Sequence, residues 1–197
     1  MNTVESFLGQ RLDDLLESVA AETPAPGGGS IAALVAALAA ALVAMAARFS
    51  GKQWADAGAV AERADAIRHR TAPLAPADAQ AYEEVLVAMR LPKDLEPDVR
   101  NATIGGALAR AADVPLEIAR EASEVAALAA LVAENGNPNL RGDAVAAAMF
   151  AAAATKAAAR LVEVNLGTTG ADGRRVKARE HAAGAEASVE RALAAGL

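Results

Sequence analysis

Residues Thr23-Pro24-Ala25-Pro26-Gly27-Gly28-Gly29-Ser30 lead directly into an apolar stretch, 31–47, that carries no charged side chain. Three successive glycines leave main-chain amides uncovered and let a ligand approach the backbone closely. Ser30 stands where a helix N-cap belongs, and a helix N-terminus attracts negative charge. Gly27, Gly28, Gly29 and Ser30 therefore read as an anion-binding corner, with Pro24 and Pro26 stiffening its entry. A plain connector ahead of a buried helix is the competing reading. The common nucleotide loops are absent, since there is neither a Gly-Lys-Ser/Thr nor a G-x-G-x-x-G.

Two carboxylates open helical patterns further on. Asp78 begins the segment 77–89, and Asp143 lies three residues into the segment 140–166. Each is either a proton acceptor and cation stabiliser or a charge that complements the dipole of its own helix. Lys52, Lys93 and Arg100 lie in loops or at a loop–helix junction, where they can hold a carboxylate or simply face solvent. His69 and His181 are the only histidines; they lie in charged segments, lack metal-ligand spacing, and are expected at the surface. There is no cysteine, which excludes a thiolate nucleophile, thiolate metal sites and disulfides.

Helices must position these groups. Alanine makes up roughly 29% of the chain, aromatics are scarce, and β-branched residues are few, so the expectation is an all-α fold. Apolar periodicity marks helices over 3–20, 31–49, 54–70, 77–89, 97–112, 113–134, 140–166 and 174–195. Asn2/Glu5 and Ser50/Gln53 have the spacing of capping boxes. The first helix should bury one stripe through Phe7, Leu8, Leu12, Leu15, Leu16 and Val19. Pro73 and Pro76 imply a kinked helix or two abutting ones, and Pro97 suits a first helical position. Asn135-Gly136-Asn137-Pro138-Asn139 is a stop and turn. The result is one domain over 1–197, an up-and-down helical bundle with long, partly kinked, alanine-rich helices.

A formal net charge of −6 and a pI near 5.0 argue against nucleic acid as a partner. The N-terminus is acidic, without the cationic start of a signal peptide, which fits a cytoplasmic protein. The stretch 31–47 reaches the lower length of a membrane span, but alanine inserts poorly. A central bundle helix covered on all sides explains it better, and no second stretch reaches that length. Three segments, 31–47, 125–133 and 144–154, are apolar nearly all round. One small bundle cannot enclose all three, so a homodimer is expected.

The assembled residues resemble the cyclodeaminase/cyclohydrolase family, which comprises the cyclodeaminase part of formiminotransferase-cyclodeaminase and bacterial methenyltetrahydrofolate cyclohydrolases. The likeness rests on residues 23–47 and then, in order, on Gly51-Lys52, Asp78 with Ala81-Tyr82, Leu91-Pro92-Lys93, Arg100, Val114-Pro115-Leu116, Gly136-Asn137, Asp143 and Val164-Asn165-Leu166. It covers about residues 5 to 175. The chain departs from the family pattern at Gly105, where glutamine is frequent, at Gly142, where serine is common, and at Leu161, near which asparagine is usual.

This resemblance implies an all-helical dimer acting on folate one-carbon units, with a tetrahydrofolate derivative as substrate and no tightly bound cofactor or metal. The reaction is either closure of 5-formiminotetrahydrofolate with loss of ammonia or interconversion of the methenyl and 10-formyl forms. Both pass through a tetrahedral carbon between N5 and N10. They need a base for the attacking atom, an acid for the leaving nitrogen, and negative charge near an amidinium-like carbon. Asp78 and Asp143 are the implied catalytic carboxylates. Pro26, Gly27, Gly28, Gly29, Ser30, Lys52, Lys93, Arg100 and Asn137 are the implied substrate contacts. The other reading is a non-catalytic helical dimer that binds a folate-like or other anionic ligand.

Overall fold

A computed structural model describes residues 7–92, 94–167 and 171–196. After a 3-10 turn, Phe7–Gly9, the helices are α1 (Leu12–Ala20), α2 (Gly28–Arg48), α3 (Ala57–Thr71), α4 (Leu74–Met89), α5 (Pro97–Ala111), α6 (Asp113–Asn135), α7 (Arg141–Leu166) and α8 (Gly173–Ala194). There is no strand among the described residues. Pro97 is the first residue of α5. The α3–α4 break falls at Ala72-Pro73, and Pro76 sits in the first turn of α4. There its missing N–H would have no helical partner anyway. Gly167, at φ 56°, ends α7.

α2 is not covered on all sides, and the more central helix is α6, although Glu117 and Arg120 stay exposed on it. α6 packs against α7, α8, α2 and α3, and Ile118, Val125, Ala129 and Val132 are buried along it. By contrast α2 exposes a stripe whose middle residue, Leu38, is 70% exposed. The sequence of α2 lacks charge, but its other faces already meet α3, α4, α6 and α7 with alanine, which leaves one face over. The core is thin: the largest fully buried side chains include Ile67, Ile118, Val43 and Val85. Alanine lets the helix axes approach to the near end of the usual range, about 8 Å.

α1 also departs from expectation. The chain breaks at Gly9-Gln10, and only Phe7 and part of Leu15 reach the core. Leu12 and Leu16 are more than 60% exposed. The capping pair Asn2/Glu5 lies outside the described residues.

α2 and α7 run antiparallel. Gly28, at the start of α2, faces Leu161 near the end of α7, while Ile31 and Val35 share a groove with Ala153 and Ala157. Two helices, Gly28–Arg48 and Pro138–Leu166 with its leading 3-10 turn, are long and apolar enough to cross a membrane. The second was not expected: its early residues fall outside the alanine run, yet the window holds few charges. Half or more of each apolar window is buried against neighbouring helices.

Candidate active site

The triple glycine does not stand ahead of the helix; Gly28 and Gly29 are its first residues, and Gly27 is the N-cap. Ser30 is therefore not the cap. Its side chain is fully buried and its hydroxyl donates to Ala75 O at 2.9 Å, with Asp78 Oδ2 at 3.2 Å. The Ser30 backbone N–H also donates to the Asp78 carboxylate. The anion at this helix N-terminus is thus supplied by the protein itself, from the second turn of α4. Asp78 complements the dipole of α2 rather than that of its own helix.

Gly29 makes this possible. A Cβ there would overlap Cγ and both oxygens of Asp78, so no other residue lets the carboxylate lie on the helix end. Burial pushes the Asp78 carboxyl up from its ordinary range, while the two bonds from Ser30 pull the other way. A carboxylate that ionises reluctantly is a stronger base when it does ionise, and in apolar surroundings it attracts a cation strongly.

Asp78 opens into a cavity of about 310 Å³ lined by Gly27, Gly28 and Gly29 on one side. Tyr82 comes from the next turn of α4, Ala111 from the end of α5, and Leu161, Val164 and Asn165 from α7. Asn165 is fixed by a 2.9 Å bond from Nδ2 to Ala111 O. Arg174 steadies the same corner by donating to Ala109 O and pairing with Asp113 and Asp172. Among the described residues, no lysine, arginine or histidine lines the cavity.

The structure separates the remaining sequence candidates. Asp143 lies in the first turn of α7, 18 residues from Leu161 and hence about 27 Å along the helix, so it does not meet Asp78 within one chain. Lys52 and Asn137 are at that same far end. Asn137 N donates to Ser50 Oγ at 2.8 Å, and Ser50 in turn donates to Ala46 O. Ser50 therefore ties two turns together instead of forming a capping box with Gln53; Asp56 is the N-cap of α3. Pro26 is buried and faces the neighbouring groove with Ile31 and Ala157. Arg100 donates to Met89 O and so covers the end of α4, about 16 Å along that helix from Asp78. Lys93 lies outside the described residues. His69 is exposed as expected, whereas His181 is half-buried with Nδ1 3.3 Å from Ser123 Oγ.

Tyr82 and Asn165 are cavity residues to which sequence reasoning gave no role. A signal was present for both. Tyr82 follows Asp78 by one helical turn, and Asn165 is an uncharged polar residue near the end of a long apolar helix. Among the three departures from the family pattern, only Leu161 lines the cavity; a side chain at Gly105 or Gly142 would meet nothing within 4 Å.

Comparison with known proteins agrees with the all-helical fold. The family model described as formiminotransferase-cyclodeaminase matches residues 11–184. The methenyltetrahydrofolate cyclohydrolase of Methylorubrum extorquens is 38% identical over 164 residues, covering 79% of each chain. The formimidoyltransferase-cyclodeaminase of Rattus norvegicus is 33% identical over 158 residues, 73% of this chain, and the match spans 28% of the rat protein. The crystal structure of formiminotetrahydrofolate cyclodeaminase from Thermotoga maritima superposes with a TM-score of 0.78 at 27% identity, covering 94% of this chain and 92% of that one. With its matched length and its shared helical architecture, this chain belongs to the formiminotransferase-cyclodeaminase family.

Proposed function

We propose that the protein is a folate one-carbon enzyme that hydrolyses 5,10-methenyltetrahydrofolate, working as a cytoplasmic homodimer without a tightly bound cofactor. One observation carries this reading: a partly buried carboxylate, Asp78, held by Ser30 at the head of α2 and facing a largely apolar cavity. The methenyl carbon is cationic and flanked by two nitrogens. A carboxylate in low-dielectric surroundings stabilises it and takes a proton from the water that attacks it. A C–O bond forms, one C–N bond breaks, the same carboxyl returns the proton to the departing nitrogen, and the second proton of the water is released to solvent as the formyl C=O forms. The Gly27–Gly29 backbone lets a flat ring lie close to the main chain, with Leu161 and Val164 as an adjoining wall.

Support for hydrolysis over deamination comes from the likeness to the Methylorubrum cyclohydrolase, which extends over most of both chains. The Thermotoga neighbour favours the second reading, ring closure of 5-formiminotetrahydrofolate with loss of ammonia, which would use the same carboxyl. Loss of methenyltetrahydrofolate absorbance on adding protein tests the first, and appearance of that absorbance from the formimino compound tests the second. Asp78→Asn should lower kcat by about 10²- to 10⁴-fold, the usual range for a positioned acid–base group. A substrate decay rate equal to that of buffer would remove the hydrolase reading.

A further inference from the structure

Two consecutive residues at the head of α8 hold the ends of two helices that line the cavity. Arg174 covers the end of α5: Nη1 donates to Ala109 O and to Asp113 Oδ1, each at 2.6 Å, while Nη2 donates to Asp172 Oδ2 at 2.8 Å. Arg175 does the same for α7, with Nη2 donating to Leu166 O at 3.0 Å and to Gly167 O at 2.5 Å. A guanidinium suits a helix C-terminus, where the last carbonyls lack intrahelical donors and the dipole is negative. Asp172 in turn caps α8 by accepting from the Arg174 backbone N–H. With its side chain only 24% exposed, Arg174 is not a loose surface pair. Its acceptors belong to three chain segments, which a forked guanidinium can bridge and a single ammonium cannot. Ala112, Val162, Leu166 and Ala178 pack together beneath this joint.

The joint reaches the cavity through one side chain. Ala111 lines the cavity and stands between Ala109 and Asp113, both gripped by Arg174. Its carbonyl accepts from Asn165 Nδ2 at 2.9 Å, and Leu166, the next residue, is held by Arg175. The bond to Ala111 O fixes the rotation of the amide, because the flipped form would set Oδ1 against a carbonyl oxygen. Oδ1 is thereby the acceptor left over: it takes no hydrogen bond among the described residues and is not sealed from solvent. Asp78 is held quite separately, by Ser30 on α2. Proton transfer and ring recognition therefore rest on different contacts.

We propose that Arg174 is a positioning residue for substrate recognition. By locking the α5–α6 joint it aims the Asn165 amide into the cavity, where Oδ1 accepts from the 2-amino and N3–H edge of a pterin ring. That edge is the end of the ring remote from the N5–N10 bridge served by Asp78. The aim of the amide stands on the geometry alone; the identity of the ring rests on the function proposed above.

The aim is tested without ligand by magnetic resonance on nitrogen-labelled protein. The Asn165 side-chain amide, identified by its absence from Asn165→Leu, should be protected from exchange. Arg174→Met should speed that exchange by about tenfold, the loss of one ordered hydrogen bond, and Arg174→Lys should restore little of the protection. Should Arg174→Met not fold, Asp113→Asn removes one arm of the clasp from a largely exposed position and should move the signal the same way. An unchanged amide in a folded variant overturns the proposal. The ring is tested by calorimetry with tetrahydrofolate and its 2-deamino analogue. The unsubstituted protein should prefer the former by about 3- to 10-fold, one hydrogen bond, and Arg174→Met should bind both alike. Equal affinities for the unsubstituted protein would overturn the ring contact. In turnover Arg174→Met should raise KM with kcat almost unchanged, whereas a fall in kcat at constant KM would overturn the positioning role. Unsubstituted protein that neither binds nor turns over a folate removes the folate reading, and the amide signal then decides the aim by itself.

Discussion

Gly29 and Asp78 occupy one space: the carboxylate lies where a side chain on the second residue of α2 would begin. Any Cβ at 29 must displace Asp78 from the Ser30 amide and hydroxyl, so this glycine is fixed by a neighbour and not by its own backbone, which is ordinary helix. Gly29→Ala should therefore cost about 1–3 kcal/mol, the range for overfilling a packed site, and remove activity with it. Gly28→Ala is the control, because its Cβ would only touch Leu161 Cδ1 at 3.9 Å. That substitution should hold or raise stability by up to about 1 kcal/mol, the helical gain of alanine over glycine. Urea unfolding of both variants checks the contrast.

The raised pKa of Asp78 sets a pH dependence with a definite sign. Its folded-state value lies above the unfolded one because burial disfavours the charge. The group therefore adds relative stability at low pH, where it is protonated in both states, and that contribution is lost as pH rises through the folded-state value. Asn keeps an oxygen for Ser30 and carries no charge. The stability difference between unsubstituted protein and Asp78→Asn should shift against the former as pH rises from about 4 towards neutrality. Activity should move in the opposite sense, falling on the acid side as the base is protonated. Melts and kcat/KM across the same pH series measure both.

Much of this arrangement was legible in the chain. The all-helical class, the first turn of α5 at Pro97 and the stop at Gly136 and Gly167 follow from local chemistry that needs no tertiary partner. The carboxylate at Asp78 and the glycine corner could also be named, but not their mutual contact, since a helix N-terminus accepts a carboxylate from any element. Ser30 shows the limit. Its type and place fit an N-cap, yet helix began at Gly28 because Asp78 supplies the acceptor from 48 residues away. α2 was misjudged for a related reason. An uncharged alanine helix has no polar face to show which side stays open, so only packing against α3, α6 and α7 reveals the Leu38 stripe. Asp143 and Asn137 matched the family pattern in order along the chain, but order does not say which end of α7, a helix some 39 Å long, lies beside Asp78.

Glu121 is a carboxylate with no exposed side-chain surface, paired with Arg70 at 2.9 Å and with Arg120, both half-exposed. The asymmetry of exposure predicts an asymmetry of cost. Without Glu121 the guanidinium groups turn to water, so Glu121→Gln should lose only about 1–3 kcal/mol, the range for hydrogen bonds to charged groups. Without both arginines a charge is stranded in the interior. The double variant Arg70→Met, Arg120→Met should lose about 3–5 kcal/mol, as when a buried pair is broken from one side. Equal losses in chemical denaturation would show that the carboxylate is solvated after all.

Leu161 is the family departure that touches the cavity, and it tests which wall sets substrate affinity. Its side chain covers Gly28 and lies one turn before Asn165, whose amide is held by Ala111 O. Leu161→Asn would place a second amide on this wall with a side chain of similar branching but smaller volume. It should give a lower KM for methenyltetrahydrofolate, by about 3- to 10-fold if one hydrogen bond to the ligand is gained, with kcat little changed because Asp78 is untouched. The cost in stability should be small, since the leucine is only part-buried. A KM that rises instead would mean that the apolar surface of Leu161 itself grips the ring, so that the departure is an adaptation of this chain's pocket and not a loss from it.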